Sequence, residues 1–309
     1  MAEQPVCCVC GEPLSPPFNT VHGRAYCDHH FALINRPSPG FWRAGLVQIA
    51  GIVVLCALIA LGASILPPLN GAALIIAGVV IAIIPTALWL VFFYQQDRLE
   101  PEPKSTILVV FLLAFLLADV VGIRLVRDWL RVPEWASQDT VTSLLASTLV
   151  LGFTYQIIAY LAVRLTIYTS PEFDERMDGI VYGTVAGLGI ATLLNLRYII
   201  DNQGVALGPG VVRVATTTLA MASFSGLMGY FMAEAKFEAK PAWWVPLGVA
   251  TAAVLNGLFS WLISEVSASG LTVDPWRSLL LGLVVALAVF ALLVFLMRRV
   301  TTVSLSRSA

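Results

Sequence analysis

The sequence predicts an all-α fold: a polytopic transmembrane bundle of about eight helices, preceded by a small N-terminal zinc-binding module. Three observations lead to this prediction. Apolar residues make up 58% of the 309 residues and charged residues only 12%, whereas soluble domains carry about 25% charged residues. The mean hydropathy is +0.85. Four of the five cysteines precede residue 30, in the polar segment before the first apolar stretch.

Eight apolar stretches are long enough to cross the hydrocarbon core of a bilayer, which takes about 20 residues of α-helix. Polar or proline-containing links separate them, and tryptophans occur at several predicted span ends, as is typical of the membrane–water interface. The predicted spans are 44–66, 70–94, 106–127, 141–167, 179–200, 213–234, 244–264 and 277–298. The predicted domain organisation is a zinc-knuckle module at 1–35, a linker at 36–43, a transmembrane domain at 44–300 and a cytoplasmic tail at 301–309.

The distribution of basic residues predicts the orientation in the membrane. With a cytoplasmic N-terminus and eight alternating spans, 12 of the 18 lysines and arginines fall on the cytoplasmic side and the other 6 on the outer side. This bias predicts a multi-pass protein of the cell membrane with both termini in the cytoplasm. The lipid bilayer is then its first partner, and a net charge of -1 gives no sign of nucleic-acid binding.

Two cysteine- and histidine-containing pairs near the N-terminus have the spacing of a zinc knuckle. Cys7 and Cys10 are separated by two residues, as are Cys27 and His30. Four such N and S ligands close a tetrahedral structural zinc site. About 25 residues cannot build a sufficient core, so the metal would supply folding energy. Two alternatives remain: substitute ligands from Cys8, His22 and His29, or a disordered cysteine-bearing tail.

The same segment resembles the second zinc module of LIM domains. Pro13-Leu14, Phe18, Gly23, Tyr26-Cys27 and Phe31 occupy the places of that module's typical residues. The resemblance implies a structural zinc. It also implies a role in stability or in docking, for which a cytoplasmic protein is the candidate partner.

Two patterns mark the membrane domain. The first is the extended, proline-rich link Asp97–Pro103 between the second and third spans. The second runs from Phe173-Asp174 through Met177-Asp178-Gly179-Ile180-Val181-Tyr182-Gly183. Gly179, Gly183 and Gly187 repeat every four residues and give one helix a smooth face that allows a neighbouring helix to approach closely. The face serves either tight packing alone or close approach around a cavity.

These patterns make roughly residues 85–265 similar to the PrsW family of intramembrane proteases, within the wider CAAX-protease-like group. Family members carry a D-x-x-E-P-E-P loop, an E-E-x-x-K helix, an F-D-x-x-x-D-G-I-x-Y-G segment, an F-x-x-x-E-N helix and two later histidines. The loop and the glycine-containing segment are matched, but the catalytic positions are degenerate. These positions fall on Tyr155, Gln156, Ala159, Leu194, Met221 and Asn256.

Peptide hydrolysis needs an activated water or nucleophile and a proton acceptor, and none of these side chains supplies a base at neutral pH. The sequence therefore predicts a catalytically inactive homologue, a pseudoenzyme that binds or regulates a membrane partner such as a transmembrane helix of another protein. Two rivals are an active intramembrane endopeptidase with an unorthodox site and a small transporter that uses Asp119.

Several polar side chains remain inside the predicted spans. Gln156, Asn195, Ser223 and Asn256 would surround a polar cavity if the family fold is kept, either as hydrogen-bonded structural contacts or as a groove for a substrate-like helix. Asp119 is an ionisable residue within a span. It either pairs with Arg124 or Arg197 or belongs to a proton or ion pathway.

The predicted orientation can be tested with topology reporters fused at residues 2 and 305. Both reporters should give a cytoplasmic signal, because the basic residues favour the cytoplasmic side and the number of spans is even. Signals from opposite sides of the membrane would mean that one span has been miscounted.

Overall fold

The structure is a computed structural model that describes most of the chain. The described residues are 5–21, 24–34, single or grouped positions between 47 and 61, 71–96, 102–202, 209–238, 240–268 and 275–307.

The N-terminal module is a hairpin followed by a short helix. Strands β1 (Asn19–Val21) and β2 (Arg24–Tyr26) pair antiparallel, and helix α1 (Asp28–Ile34) follows directly. Before the hairpin, an isolated antiparallel bridge joins Val6 to Pro13. Two short strands and two turns of helix bury few side chains. Modules of this size usually need further stabilisation, such as a disulfide or a bound metal.

The rest of the described chain is helical. Helix α2 is Ala72–Gln96. Helix α3 (Lys104–Leu117) continues through π-helical turns at Ala118–Ile123 and Leu125–Trp129. The short helices α4 (Val132–Trp135) and α5 (Thr140–Leu145) follow, and a π-helical segment, Ala146–Gly152, joins α5 to α6 (Phe153–Thr166). The last four helices are α7 (Arg176–Asp201), α8 (Pro209–Phe237), α9 (Trp244–Ala268) and α10 (Pro275–Arg307).

Seven helical stretches of the described chain are long and apolar enough to cross a membrane. They coincide with the second to eighth predicted spans, so the prediction of a polytopic helical membrane protein is confirmed. The first predicted span, 44–66, lies mostly outside the described residues, and the described positions within it are helical. The seven stretches are Ala72–Tyr94, Lys104–Trp135, Thr140–Thr166, Arg176–Asp201, Gly210–Phe237, Trp244–Ile263 and Gly282–Val300.

Helices α7 and α8 form the centre of the bundle and pack antiparallel at very short range. A Cβ atom added to Gly179, Gly183 or Gly187 would overlap backbone atoms of Gly229, Ser225 or Met221 in α8. The overlap is mutual, because a Cβ at Gly229 would meet the carbonyl of Gly179. Glycines on both helices therefore allow the two backbones to touch, as is typical of close helix pairs in membranes.

Helix α3 lies parallel to α7, and three contacts fix its register. Near the start of both helices, the Tyr182 hydroxyl donates to Glu102 Oε2 at 2.6 Å. Midway, Gly189 lies against the carbonyl of Phe111. Near their far ends, Arg197 contacts Asp119. We call the end of the bundle where α3 and α7 begin the Glu102 end, and the opposite end, where α7 stops, the Asp201 end.

Five helical segments form a ring in the described part of the chain, when α6 is counted together with the π-helical residues 146–152 that precede it. Helix α3 packs on α7, α7 on α8, α8 on α9, α9 on the segment 146–152 and on α6, and α6 on α3. Helix α2 covers α7 and α8 from outside the ring, and α10 covers α8 and α9.

At the Glu102 end, a buried carboxyl ties the proline-rich link to α7. The Glu102 residue is only 4% exposed. Burial raises the pKa of Glu102 to about 7, although hydrogen bonds with Tyr182 and Asp178 act to lower it. Asp178 is held in turn, because its Oδ2 accepts from the backbone amides of Asp174 at 2.8 Å and Glu175 at 2.7 Å in a capping box.

The raised pKa of Glu102 predicts a pH-dependent stability. Between about pH 4.5, the ordinary value, and about pH 7, the folded chain holds a proton at Glu102 that the unfolded chain has lost. The free energy of unfolding should therefore fall as the pH rises through this window. Glu102→Gln keeps an acceptor for Tyr182 and removes the titration. Its thermal midpoint should match that of the wild type near pH 5 and exceed it at pH 8.

The matched control for this experiment is Glu134→Gln, since the Glu134 side chain is 67% exposed. This variant should follow the wild type at every pH. A constant difference between Glu102→Gln and the wild type from pH 5 to pH 8 would contradict the assignment.

Candidate metal centre and membrane cavity

Four side chains of the N-terminal module converge on one point. The ligand atoms of Cys7, Cys10, Cys27 and His30 all lie within 4.8 Å of one another. The His30 Nδ1 atom is 3.0 Å from Cys27 Sγ and 3.7 Å from Cys7 Sγ, and the sulfurs of Cys10 and Cys27 are 4.0 Å apart. A tetrahedral ion with ligand bonds of about 2.0–2.3 Å separates its ligands by distances of this order.

Backbone hydrogen bonds hold the turn that positions Cys7 and Cys10. The amide of Cys7 donates to Glu12 O and the amide of Gly11 donates to Cys7 O, both at 2.8 Å. Gly11 adopts a φ of +71°, which closes the turn after Cys10. Burial raises the pKa of Cys7, but backbone hydrogen bonds from Cys27, Cys10 and Val9 outweigh it, so the pKa falls to about 6. Cys7 is then a thiolate at neutral pH, which is the form that binds metal.

The β1–β2 hairpin and helix α1 position the second pair, Cys27 and His30. Cys27 follows β2 directly, and His30 lies in the first turn of α1, where Phe31 N donates to Cys27 O at 2.9 Å. Of the possible substitute ligands, Cys8 and His29 are exposed and do not belong to this cluster. His22 lies outside the described residues.

A cavity of about 490 Å³ lies inside the helix ring, at its Asp201 end. All five ring segments contribute to its wall. Its lining is apolar at Ile123, Val126, Leu151, Leu194, Phe259 and Ile263, polar at Tyr155, Asn195, Tyr198, Asn202, Thr217 and Ser260, and charged at Arg127, Arg197, Asp201 and Arg213.

Three arginines dominate the charge of this cavity. Arg127 Nη2 lies 2.5 Å from Asp201 Oδ2, and Arg197 Nη2 lies 2.5 Å from Asp119 Oδ1. The guanidinium of Arg213 lies over the Tyr198 ring, 3.9 Å from its centroid, in a cation–π contact.

The Asp119 carboxylate thus forms an ion pair, which was one of the two alternatives that the sequence left open, and its partner is Arg197. Asp119 lies in the π-helical turn that continues α3, and Arg197 lies on α7, so the pair also fixes the register of these parallel helices. Both side chains are partly exposed.

The six residues that the sequence predicts to occupy the family's catalytic positions lie on α6, α7, α8 and α9, and not all of them face the cavity. Tyr155 and Leu194 line it. Gln156 Oε1 accepts from Ser225 Oγ at 3.2 Å in the contact between α6 and α8. Ala159 and Met221 are buried in the apolar core.

The four predicted polar residues separate into two groups. Asn195 lines the cavity, and its Nδ2 donates to Thr218 Oγ1 at 3.0 Å and to Val214 O at 3.3 Å. Gln156, Ser223 and Asn256 are at most 1% exposed. No described residue hydrogen-bonds the Nε2 of Gln156, the Oγ of Ser223 or either amide atom of Asn256. Amides and a hydroxyl, not carboxylates or imidazoles, thus occupy this junction.

Sequence reasoning missed two features of the site. The hydrogen bond from Tyr182 to Glu102 joins the proline-rich link to the glycine-containing segment. The only sequence signal for this contact was that both motifs belong to the same family pattern. The cluster of Arg127, Arg197 and Arg213 was visible only as basic residues near the outer ends of three different spans. Their convergence depends on how the helices pack.

Comparison with known proteins identifies the family of this chain. The profile of a family described as PrsW family intramembrane metalloprotease matches residues 102–297. Protease PrsW of Bacillus subtilis (strain 168) is 28% identical over 187 residues, covering 60% of this chain and 82% of the relative. Protease PrsW of Geobacillus kaustophilus (strain HTA426) is 31% identical over 180 residues, covering 58% and 76%.

A third relative, Protease PrsW of Clostridioides difficile (strain 630), is 27% identical over 188 residues, covering 59% of this chain and 77% of the relative. No solved structure matches the chain. The matched region contains the whole helix ring, the Glu102–Tyr182 contact and the cavity. This chain therefore belongs to the PrsW family of intramembrane proteases.

Proposed function

We propose that this chain is a catalytically inactive member of the family, which binds or regulates a membrane partner instead of cleaving it. The observation that carries the proposal is the chemistry of the degenerate positions. Tyr155 and Leu194 line the cavity, and the Gln156 amide bonds a serine hydroxyl. None of these groups accepts a proton at neutral pH.

The family description names a metalloprotease, so a catalytic metal would be expected in the membrane domain. A catalytic metal needs about three protein donors that converge on one ion, normally imidazoles and carboxylates. The chain has three histidines, His22, His29 and His30, all in the N-terminal module. Among the described residues, the one group of three or more Cys, His, Asp or Glu side chains placed to share an ion is Cys7, Cys10, Cys27 and His30. The described part of the membrane domain therefore offers no ligand set that would fit a catalytic metal.

The polar side chains that remain in the helix ring suit a partner helix as the ligand. The Nε2 of Gln156 and both amide atoms of Asn256 are buried between ring helices and have no hydrogen-bond partner among the described residues. They would bond polar groups of a partner helix that separates these ring helices. A transmembrane helix of another protein would bind at this junction without being cut.

The N-terminal module is proposed to hold a structural zinc with Cys7, Cys10, Cys27 and His30 as ligands. We assign it residues 1–35, separated by a linker at 36–43 from the transmembrane domain at 44–300 and the tail at 301–309. With both termini in the cytoplasm, the module would present its surface to a cytoplasmic protein, and the reducing compartment would keep its cysteines available as ligands.

Metal analysis of the purified protein tests the zinc site. The wild type should hold about one zinc per chain, and Cys27→Ser should lose it, because three ligands no longer close the tetrahedron. The thermal midpoint of the membrane helices should be unchanged. The matched control is Cys8→Ser, which removes an exposed thiol outside the cluster and should keep the zinc. Zinc that persists in a chain starting at residue 40 would refute the assignment.

Proteolysis assays test the inactivity. The purified protein should leave transmembrane-helix substrates uncut, with and without added zinc, because the degenerate positions offer no base. The variants to compare are Gln156→Ala, Asn256→Ala and, as the control in the separate module, Cys27→Ser. Cleavage that is lost in the first two variants and retained in the third would establish an active protease with an unorthodox site.

A further inference from the structure

We propose that the cavity at the Asp201 end is a binding site for an amphipathic anion, in which Arg127, Arg197 and Arg213 receive a phosphate or carboxylate group and the apolar wall receives a short hydrocarbon part. This goes beyond the proposed function, because it holds whether or not a partner helix binds at the ring.

The shape of the site indicates how a ligand enters. The cavity is enclosed by the complete ring of α3, α7, α8, α9 and α6 with its π-helical extension, and each of these packs on the next. Its lining comes from the parts of these helices nearest the Asp201 end. It therefore opens at the end of the bundle, at the level of the membrane–water interface. There, Trp129 is 78% exposed, as expected of an aromatic residue at the headgroup level.

The charge of the site favours an anion. The three arginines and the two aspartates that pair with them, Asp119 and Asp201, leave one net positive charge among these five described residues. Each ion pair engages the Nη2 atom of its arginine. A guanidinium carries five N–H donors, so an arginine in such a pair retains donors for a second oxyanion.

The arginines are also held in position before any ligand arrives. Ion pairs fix Arg127 and Arg197, and Arg213 is stacked on Tyr198. A side chain that is already ordered loses little conformational entropy on binding, and this raises the affinity. Arginine is the residue best suited to bidentate recognition of phosphate and carboxylate.

The apolar part of the lining defines the rest of the ligand. Leu194, Phe259 and Ile263 present apolar surface to the same space, and Tyr155 adds an aromatic ring. A volume of about 490 Å³ is in the range of small-molecule sites. It accommodates a charged head group with a short chain. Two sources share this chemistry: a free organic anion on the outer side and the head group of an anionic lipid.

Titration calorimetry of the full-length protein in a neutral detergent tests the site, with hexyl phosphate as the soluble probe and hexanol as its uncharged counterpart. Hexyl phosphate should bind saturably and more weakly at high salt, and hexanol should not. Arg213→Gln and Arg127→Gln should each weaken binding about tenfold, the loss expected for a charge-assisted hydrogen bond.

The matched control is Arg131→Gln, because Arg131 is at the same end of the bundle, its side chain is 68% exposed and it does not line the cavity. This variant should bind as the wild type does. Arg127→Gln keeps the test decisive if the loss of the Arg213–Tyr198 stack prevents folding, since the Arg127 side chain is 48% exposed.

Native mass spectrometry of protein from lipid nanodiscs distinguishes the two sources. Retention of phosphatidylglycerol over phosphatidylcholine, reduced in Arg127→Gln but not in Arg131→Gln, would support the site and identify a lipid head group as its ligand. Binding of hexyl phosphate without lipid retention would support it with a free anion. Binding of neither probe, equal binding of hexanol, or unchanged binding in both cavity variants would overturn the proposal.

Discussion

The rest of the membrane domain depends on the backbone contact between α7 and α8. Gly179, Gly183 and Gly187 bring α7 against the main chain of α8, and Gly229 returns the contact. In a bilayer, apolar side chains gain little by leaving the lipid, so close van der Waals packing must hold helices together. The remaining ring helices and the two covering helices all pack on one or both members of this pair, or on a helix that does.

Much of this architecture could be predicted from the sequence, because the bilayer imposes a length and a composition on every span. The glycine repeat predicted a smooth helix face, since the missing side chains are themselves the signal, and Gly179, Gly183 and Gly187 lie against the backbone of α8. For Asp119 the sequence left two candidate ion-pair partners. Arg124 and Arg197 were both in reach by sequence, and only the parallel packing of α3 and α7 selects Arg197.

The cavity was harder to predict, because its walls come from five segments that are distant in sequence. Asn195 was placed at a polar cavity and lines one, whereas Gln156, Ser223 and Asn256 lie in tight helix contacts. The spacing of polar residues indicates which side chains face the interior of a bundle. It does not indicate where space is left between them, since that depends on the sizes of all the neighbouring side chains.

The seams of the helix ring differ in how they can separate. Three seams bring backbone against backbone, at Gly183 between α7 and α8, at Gly189 between α7 and α3, and at Gly152 between the π-helical segment and α9. The other two are filled by side chains, with Phe224 against Phe259 between α8 and α9, and Tyr155 against Gly122 between α6 and α3. Side chains can change rotamer, whereas a backbone contact must break as a whole. Among the described helices, α10 already packs on both sides of the seam between α8 and α9. A helix approaching sideways through the lipid would therefore enter between α6 and α3.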